Sequence, residues 1–406
     1  MDNTKKNFIW NMIGTTINAF TSLIFMIIVT RINGTDIAGI FTFAFSLACL
    51  FQVISNYAGR TFQVTNNDKE FLDSDFMYNR LTTCLIMLFC IIGYLFIKDY
   101  TSFKNIIIIL FIIYRLIESY VDVFYGIIQR NNSLYKVGIS LTIKSLLCIF
   151  IFFIVDYFTK DVVWAIISLL IVSLVVFAFY DRKNYKEYYS SHKYKKINNL
   201  RLLKLGIFIC GFNFLTQYIL NAPKYAIDSF LDNQSQTIYG IISMPASFLV
   251  LCSQFAIQPY LTTFSKYIDD KDYKGLLKLS IRIIIGIFVV GIICIIGATL
   301  LGIPVLQMIY GVNLDGYLIS LLIIIFGATF FGMSFIISSI LVAMRKSFIQ
   351  IVFYVVMSIF IMFISKYLVI KYSILGACLS YGITMLGLFV MYIIYFVNYL
   401  RRKNNG

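Results

Sequence analysis

Three charged side chains stand in the middle of an apolar run, where a helix in a membrane is expected to carry hydrocarbon alone. The run begins at "NIIIILFII" and continues into "YRLIESYVDVFYG", which places Arg115, Glu118 and Asp122 on one face of a helix. Carboxylates at membrane depth can carry a coupling proton or Na⁺, and a cation there can hold an anionic ligand. The alternative is that these charges only lock neighbouring helices together, and both interpretations stay open at this point.

A fourth charge, Lys144, lies in the next apolar run. It is roughly 10 Å from the start of that run, and Asp122 is roughly 9 Å from the end of the preceding one. Because consecutive membrane helices are antiparallel, the matching depths predict a structural Lys144–Asp122 ion pair. Arg115 and Glu118 are predicted to pair on their own helix at i, i+3.

A second polar stripe lies in "GFNFLTQYILNAPKYAIDSFL". One residue in nearly every turn is polar, and the set lies within about 80° on a helical wheel: Asn213, Gln217, Asn221, Lys224 and Asp228. Amide side chains offer both donors and acceptors to sugar hydroxyls, whereas the alternative is hydrogen bonding between helices. Pro223 interrupts the stripe and predicts a bend.

The elements that must position these residues are membrane helices. The chain has 406 residues, of which 60% are hydrophobic and 13% charged, and its apolar runs are about 20 residues long. This pattern predicts an all-α polytopic membrane protein. We predict twelve spans, at about 8–29, 37–57, 79–97, 105–128, 137–155, 162–180, 205–231, 236–260, 280–302, 317–343, 347–370 and 374–400.

Basic residues predict the orientation of these spans. Lys and Arg concentrate in alternate loops, most of all in 181–204, so both termini are expected on the cytoplasmic side. The net charge of +15 is then explained by basic cytoplasmic loops lying against anionic membrane lipids, and no nucleic acid is needed. The acidic residues before the third span, Asp68, Glu70, Asp73 and Asp75, are interpreted as a solvated face.

The basic stretch also divides the chain into halves. We predict an N-terminal six-helix lobe (1–180), a basic cytoplasmic linker (181–204) and a C-terminal six-helix lobe (205–406). "NGTDIAGIFTFAFS" can be laid over "NQSQTIYGIISMPAS" by pairing Gly39 with Gly240, each between the first and second span of its half. An internal repeat of this kind is typical of transporters, although chance similarity of two short segments would look the same.

Motifs of enzymes and of metal sites are missing from the sequence. It has no P-loop, no G-x-S-x-G and no Ser-His-Asp set, so we predict that the protein is not an enzyme and has no catalytic residues. Its one histidine, His192, has no Cys or carboxylate cluster nearby, and no metal site is predicted.

The sequence resembles the polysaccharide flippases of the multidrug/oligosaccharidyl-lipid/polysaccharide (MOP) exporter superfamily, in particular the Wzx-type flippases for O-antigen or capsule repeat units. The segments that carry the resemblance are "KKNFIWNMIGTTINAF", "VTRINGTDIAGIFTFAFS" and "NAPKYAIDSFLDNQSQTIYGIISMPAS". The predicted twelve spans depart from the fourteen usual in lipid II flippases, which makes lipid II a less favoured substrate.

The resemblance implies a MATE/MOP-like fold whose two lobes give alternating access in the bacterial cytoplasmic membrane. The implied partner is an undecaprenyl-diphosphate-linked oligosaccharide, with a polysaccharide polymerase of the same pathway as a further one. An H⁺ or Na⁺ gradient would drive transport, and no cofactor is expected. Three groups of site residues are candidates: cations for the diphosphate (Arg31, Arg115, Lys224), amides for the sugar (Asn213, Gln217, Asn221) and carboxylates for ion coupling (Glu118, Asp122, Asp228).

Rival functions come from other classes. An ion-coupled multidrug antiporter of the same superfamily ranks second, because it would need an acidic cavity and the charges here are mixed. A membrane polymerase or ligase would need a large external loop with catalytic residues. A channel would lack the two-lobe repeat and the separate polar stripes.

Overall fold

The computed structural model describes residues 3–57, 59–65, 71–189, 196–257, 260–344 and 346–404, and the described residues form helices joined by short turns, with no strand. The all-α membrane class predicted from the sequence is confirmed. The helices up to residue 230 are α1 (Asn3–Asn33), α2 (Thr35–Asn56), α3 (Gly59–Val64), α4 (Asp73–Ile97), α5 (Ser102–Arg130), α6 (Leu134–Thr159), α7 (Val162–Val176), α8 (Arg182–Lys186) and α9 (Lys196–Phe230).

The remaining helices are α10 (Asn233–Ile257), α11 (Leu261–Asp269), α12 (Tyr273–Gly297), α13 (Ile303–Tyr310), α14 (Leu318–Ala343) and α15 (Ser347–Asn404). Two short π-helical turns continue the α-helices that precede them. Phe177–Asp181 joins α7 to α8, and Ala298–Gly302 joins α12 to α13.

Ten helices of the described chain are long and apolar enough to cross a membrane. The 29-residue helix α5, with three charges in its middle, is not one of the ten. The two last predicted spans lie together on α15, whose helical geometry breaks at Ser373 (φ 51°, ψ −131°). The count of twelve spans therefore stays a prediction.

The break at Ser373 makes a tight turn. Gly376 lies so close to the chain before the break that a Cβ on it would overlap the carbonyl oxygen of Leu368. A glycine is required here because the two arms of α15 approach backbone to backbone.

Two compact units make up the chain, Met1–Gln217 and Tyr218–Gly406, and the boundary falls within α9. The predicted lobe boundaries stay a prediction. Of the predicted linker 181–204, residues 182–186 and 196–204 are helical, and 190–195 lie outside the described residues.

Helix α5 lies at the centre of the first unit and contacts α2, α4 and α7. Its apolar side chains Ile107, Phe111 and Phe124 are almost fully buried. Large apolar side chains elsewhere point away from the protein, such as Phe96, which is 87% exposed. This outward apolar surface is what a hydrocarbon solvent requires, and charged side chains at membrane depth are therefore expected to face the interior of the unit.

Helices α1 and α6 approach each other at two glycines. A Cβ on Gly14 would overlap the carbonyl of Gly138, and a Cβ on Gly138 would overlap the carbonyl of Trp10. Small residues allow this contact, because helices in lipid associate through close packing rather than through the hydrophobic effect.

We therefore expect Gly138→Leu to destabilise the first unit by about 1–3 kcal/mol, the usual cost of overpacking. The matched control is Gly93→Leu on α4, where an added Cβ meets nothing within 4 Å. Thermal unfolding of the two purified variants should show a lower midpoint for Gly138→Leu alone. An equal midpoint for both would contradict the close α1–α6 contact.

Candidate functional site

A buried ion pair joins α5 to α6 in the first unit. Lys144 Nζ lies 2.5 Å from Glu118 Oε1, and the two side chains are only 5% and 12% exposed. Two charges at this depth are tolerated in lipid only when they neutralise each other. The prediction that Lys144 pairs with Asp122 is wrong, and so is the predicted pairing of Glu118 with Arg115.

Asp122 instead contacts two arginines from other helices. Its Oδ2 lies 3.5 Å from a terminal nitrogen of Arg80 on α4, and its Oδ1 lies 3.7 Å from Nε of Arg60 on α3. Arg80 is buried and also donates to the Ser55 carbonyl (3.2 Å) and to Asn56 Oδ1 (2.8 Å). These five residues form the arginine cluster, which has two cations for one carboxylate.

The arginine cluster explains the wrong pairing. Glu118 and Asp122 are one helical turn apart on the same face of α5, so depth alone could not separate them as partners for Lys144. Arg60 lies between two predicted spans and Arg80 at the start of one, yet both reach Asp122. The signal that could have identified Arg80 is its position at the very start of an apolar run.

Among the described residues, Arg115 forms a salt bridge with neither carboxylate. One terminal nitrogen donates to the Cys49 thiol at 3.1 Å, and the guanidinium carbon stands 4.6 Å from the centre of the Phe45 ring. Nε of Arg115 is buried without a hydrogen-bond partner. No ion pair of Arg115 occurs in the described part of the chain, so a thiol and aromatic faces are what stabilise this cation.

A polar layer surrounds the Glu118–Lys144 pair. The Tyr125 hydroxyl lies 2.9 Å from Ser140 Oγ and donates to Asp181 Oδ2 at 3.4 Å. Asp181 is buried in the π-helical turn, and its other carboxylate oxygen has no hydrogen-bond partner among the described residues. π-helical turns are frequent at functional sites, and sequence reasoning missed Asp181 by assigning it to the linker.

Two acidic residues interpreted as solvated are in fact buried. Asp73 lies 2.5 Å from Arg130 at the end of α5, and Asp75 accepts from the Leu72 N–H (3.1 Å) and from Asn198 (2.8 Å). Asp75 thus caps the start of α4, where a carboxylate is favoured by the helix dipole. Asp68 and Glu70 lie outside the described residues.

Arg31 lies far from Arg115. It is exposed in the last turn of α1, just before α2 begins at Thr35. Arg115 contacts Cys49, which is about 20 Å further along α2 at the normal helical rise. At the same end of α1, Asn33 donates to both carboxylate oxygens of the buried Asp156, each at 2.8 Å, a contact that sequence reasoning also missed.

The second predicted stripe lies entirely on α9. Asn213 and Gln217 belong to the first unit, and Asn221, Lys224 and Asp228 to the second. Asn213 is exposed and the other four are half-buried. The roles proposed for them in binding sugar, diphosphate or a coupling ion stay predictions.

The described residues contain no group of three potential metal ligands. The site is therefore a set of charges held at membrane depth: a neutral Glu118–Lys144 pair, an arginine cluster with an excess positive charge and the guanidinium of Arg115. Such an arrangement can bind an anion, and its carboxylates can exchange a cation partner for a proton or a metal ion.

Comparison with known proteins places these features in a wider group. No protein-family model matches the chain. It is 24% identical over 403 residues to the capsular polysaccharide biosynthesis protein CapF of Staphylococcus aureus, a match that covers 98% of this chain and 99% of CapF.

Solved structures with the same fold are transporters. The lipid II flippase MurJ, in an inward closed conformation, matches with a TM-score of 0.72 and 17% identity over 96% of this chain and 87% of MurJ. An inward-facing multidrug resistance MATE family transporter of the MOP superfamily matches with a TM-score of 0.68 and 13% identity, and the match covers 98% of this chain and 99% of the transporter. The MATE transporter VcmN of Vibrio cholerae, in its bent form, matches with a TM-score of 0.63 and 13% identity, and the match covers 99% of this chain and 98% of VcmN.

These similarities extend over nearly the whole chain rather than over one segment of it. They confirm the resemblance drawn from the sequence, and the protein is a multi-pass membrane protein with the helical fold that MATE transporters of the MOP superfamily share with the lipid II flippase.

Proposed function

We propose that the chain is a flippase for a lipid-linked oligosaccharide. It would move undecaprenyl-diphosphate-linked repeat units from the cytoplasmic to the outer leaflet of the bacterial cytoplasmic membrane by alternating access, for the assembly of capsule, O-antigen or exopolysaccharide. The observation that carries this proposal is Arg115. A guanidinium in the middle of a membrane helix, without a carboxylate pair among the described residues, suits a ligand that brings its own negative charge.

The comparisons support the class of ligand. CapF is described as a protein of capsular polysaccharide biosynthesis, and MurJ as a lipid II flippase. Both matches run along almost the whole of this chain. A glycan attached to a lipid diphosphate is a ligand that fits both the relatives and a site with an excess of guanidinium groups over carboxylates.

We assign ion coupling to the carboxylates of the same site. Glu118 is paired with Lys144, and Asp122 with two arginines, so binding of H⁺ or Na⁺ to either requires its cation to move away. Ion binding would thereby favour a different set of helix contacts, which is the differential affinity that alternating access requires. Asp228 on α9 is the third candidate.

The alternative is an ion-coupled multidrug antiporter, which the fold of the MATE transporters allows. A cationic drug needs an available carboxylate, however, and both Glu118 and Asp122 are occupied by cations. The arginine cluster and Arg115 together carry an excess of positive charge, which favours an anionic substrate.

Deletion of the gene in its own strain tests the proposal. We expect surface glycan to be lost and lipid-linked repeat units to accumulate, sealed inside vesicles of the cytoplasmic membrane and protected from an added glycosidase. Re-expression of the chain should restore both. Normal surface glycan after deletion, together with increased sensitivity to cationic drugs, would instead support the antiporter.

A further inference from the structure

Two cavities open along one side of the second unit. The first, of about 360 Å³, lies between α10 and α12, and the second, of about 370 Å³, is lined by α10, the π-helical turn Ala298–Gly302, α13 and α14. Leu249 of α10 lines both. The two cavities therefore adjoin, and we call the pair the α10–α12 groove.

The α10–α12 groove is as long as a membrane is thick. Near one end it is lined by Arg282, in the first cavity, and further along by Gly302, in the second. At the normal helical rise these residues are about 30 Å apart, which is the thickness of the hydrocarbon core of a bilayer. Between them the lining is mainly aliphatic, with side chains such as Ile287, Val290 and Leu301.

One end of the groove is positively charged. Among the described residues that line it, Arg282 is the charged one, and the hydroxyl-bearing Tyr260 lines the same cavity. Lys274, Lys278 and Arg282 follow one another at four-residue intervals on one face of α12. Arg282 is the deepest of the three, and Lys278 does not line the cavity.

Two glycines leave the floor of the groove open. Gly286 lines the first cavity and Gly297 the second, and a Cβ on either would meet no atom within 4 Å. Both are ordinary helical positions without a positive φ. The helical backbone does not require glycine at either position. The lack of a side chain there therefore leaves open space beside α12.

We propose that the α10–α12 groove binds one anionic phospholipid, with its phosphate at Arg282 and Tyr260 and an acyl chain along α12. An acyl chain gains little by leaving bilayer hydrocarbon for an apolar groove, so shape and the charged end must provide the selectivity. A phosphate paired with a guanidinium forms a strong charge-assisted hydrogen bond, and basic pockets between membrane helices commonly bind anionic headgroups. The one charged residue of the described lining, Arg282, would bind the single phosphodiester of a phospholipid, and the apolar lining would hold one acyl chain.

The test is lipid retention measured by native mass spectrometry. The purified full-length chain is exchanged into bilayers of equal parts phosphatidylglycerol and phosphatidylcholine and then released. We expect one retained lipid, with phosphatidylglycerol strongly preferred, and about a tenfold loss of that preference in Arg282→Gln. Lys278→Gln removes an equal charge one turn away, outside the cavity, and should behave like the wild type.

A second pair of variants tests the groove itself. Gly286→Leu should fill the first cavity and lower retention of both lipids, while the melting temperature stays close to that of the wild type because the added side chain enters open space. Gly93→Leu on α4, equally open, should retain lipid normally. Equal retention of the two lipids by the wild type, or unchanged preference in Arg282→Gln, would overturn the proposal. So would complete displacement of phosphatidylglycerol by added polyprenyl phosphate, which would assign the groove to the lipid carrier.

Discussion

Glu118→Gln should lower the thermal midpoint of the purified protein by about 10 °C. The substitution leaves Lys144 as an unpaired buried cation, and breaking one side of a buried ion pair costs about 3–5 kcal/mol in soluble proteins. Lys144 is only 5% exposed, so water cannot replace the lost carboxylate. The measurement is far-ultraviolet circular dichroism against temperature in detergent.

The chain provides its own control for this experiment. Lys136 lies on α6, as Lys144 does, and pairs with Glu187 at the end of α8, but Glu187 is 49% exposed. Exposed pairs contribute about 0–1 kcal/mol, so Glu187→Gln should leave the midpoint nearly unchanged. The double variant Glu118→Gln with Lys144→Gln should recover much of the loss, because both buried charges are then absent. A double variant as unstable as the worse single one would show that the two side chains are not partners.

Arg115→Gln should abolish surface glycan while the amount of protein in the membrane stays normal. We expect a loss of at least about tenfold, since a charge-assisted contact to a diphosphate would be removed from a water-poor site. Arg115→Lys should keep part of the activity, because the charge remains although the two-pronged guanidinium geometry is lost. Surface glycan is measured by antibody binding to whole cells of the deletion strain that express each variant.

Cys49 separates a charge effect from a packing effect at Arg115. Cys49→Ala removes the thiol that accepts from Arg115 and leaves the positive charge in place. Glycan export should therefore continue in Cys49→Ala. Full export by Arg115→Gln would refute a role for this cation in substrate binding, and loss of export in both variants would assign it to packing.

The sequence predicted the helices better than their partners. Apolar run length predicted an all-α membrane protein, and helical periodicity predicted that Arg115, Glu118 and Asp122 share one face of α5. The rotation of each neighbouring helix is not encoded in a local pattern, so the partner of Lys144 could not be chosen between two carboxylates one turn apart. Arg80 was missed for a related reason, because a residue at the boundary of an apolar run can either face headgroups or turn inward.

Contacts between segments that are distant in the sequence could not be predicted from it either. The α10–α12 groove depends on two glycines and an arginine whose common side of α12 appears only when α10 and α14 are packed against it. Asp73 and Asp75 look like a charged loop in the sequence, yet each has a specific partner more than 50 residues away. The lack of a carboxylate partner for Arg115 among the described residues is likewise visible only in the folded unit. The proposed function depends on this feature.

The single-residue turn at Ser373 also bears on how the chain is inserted during synthesis. No loop separates its two arms, so we expect 347–404 to enter the bilayer together as one helical hairpin. Lys366 and Lys371 lie beside the turn, where they would weakly oppose translocation of either arm alone. Held in a hairpin, they move with the arm that carries Arg401 and its basic neighbours, so the positive charges beside the turn and those beyond the second arm act on one insertion step rather than on two.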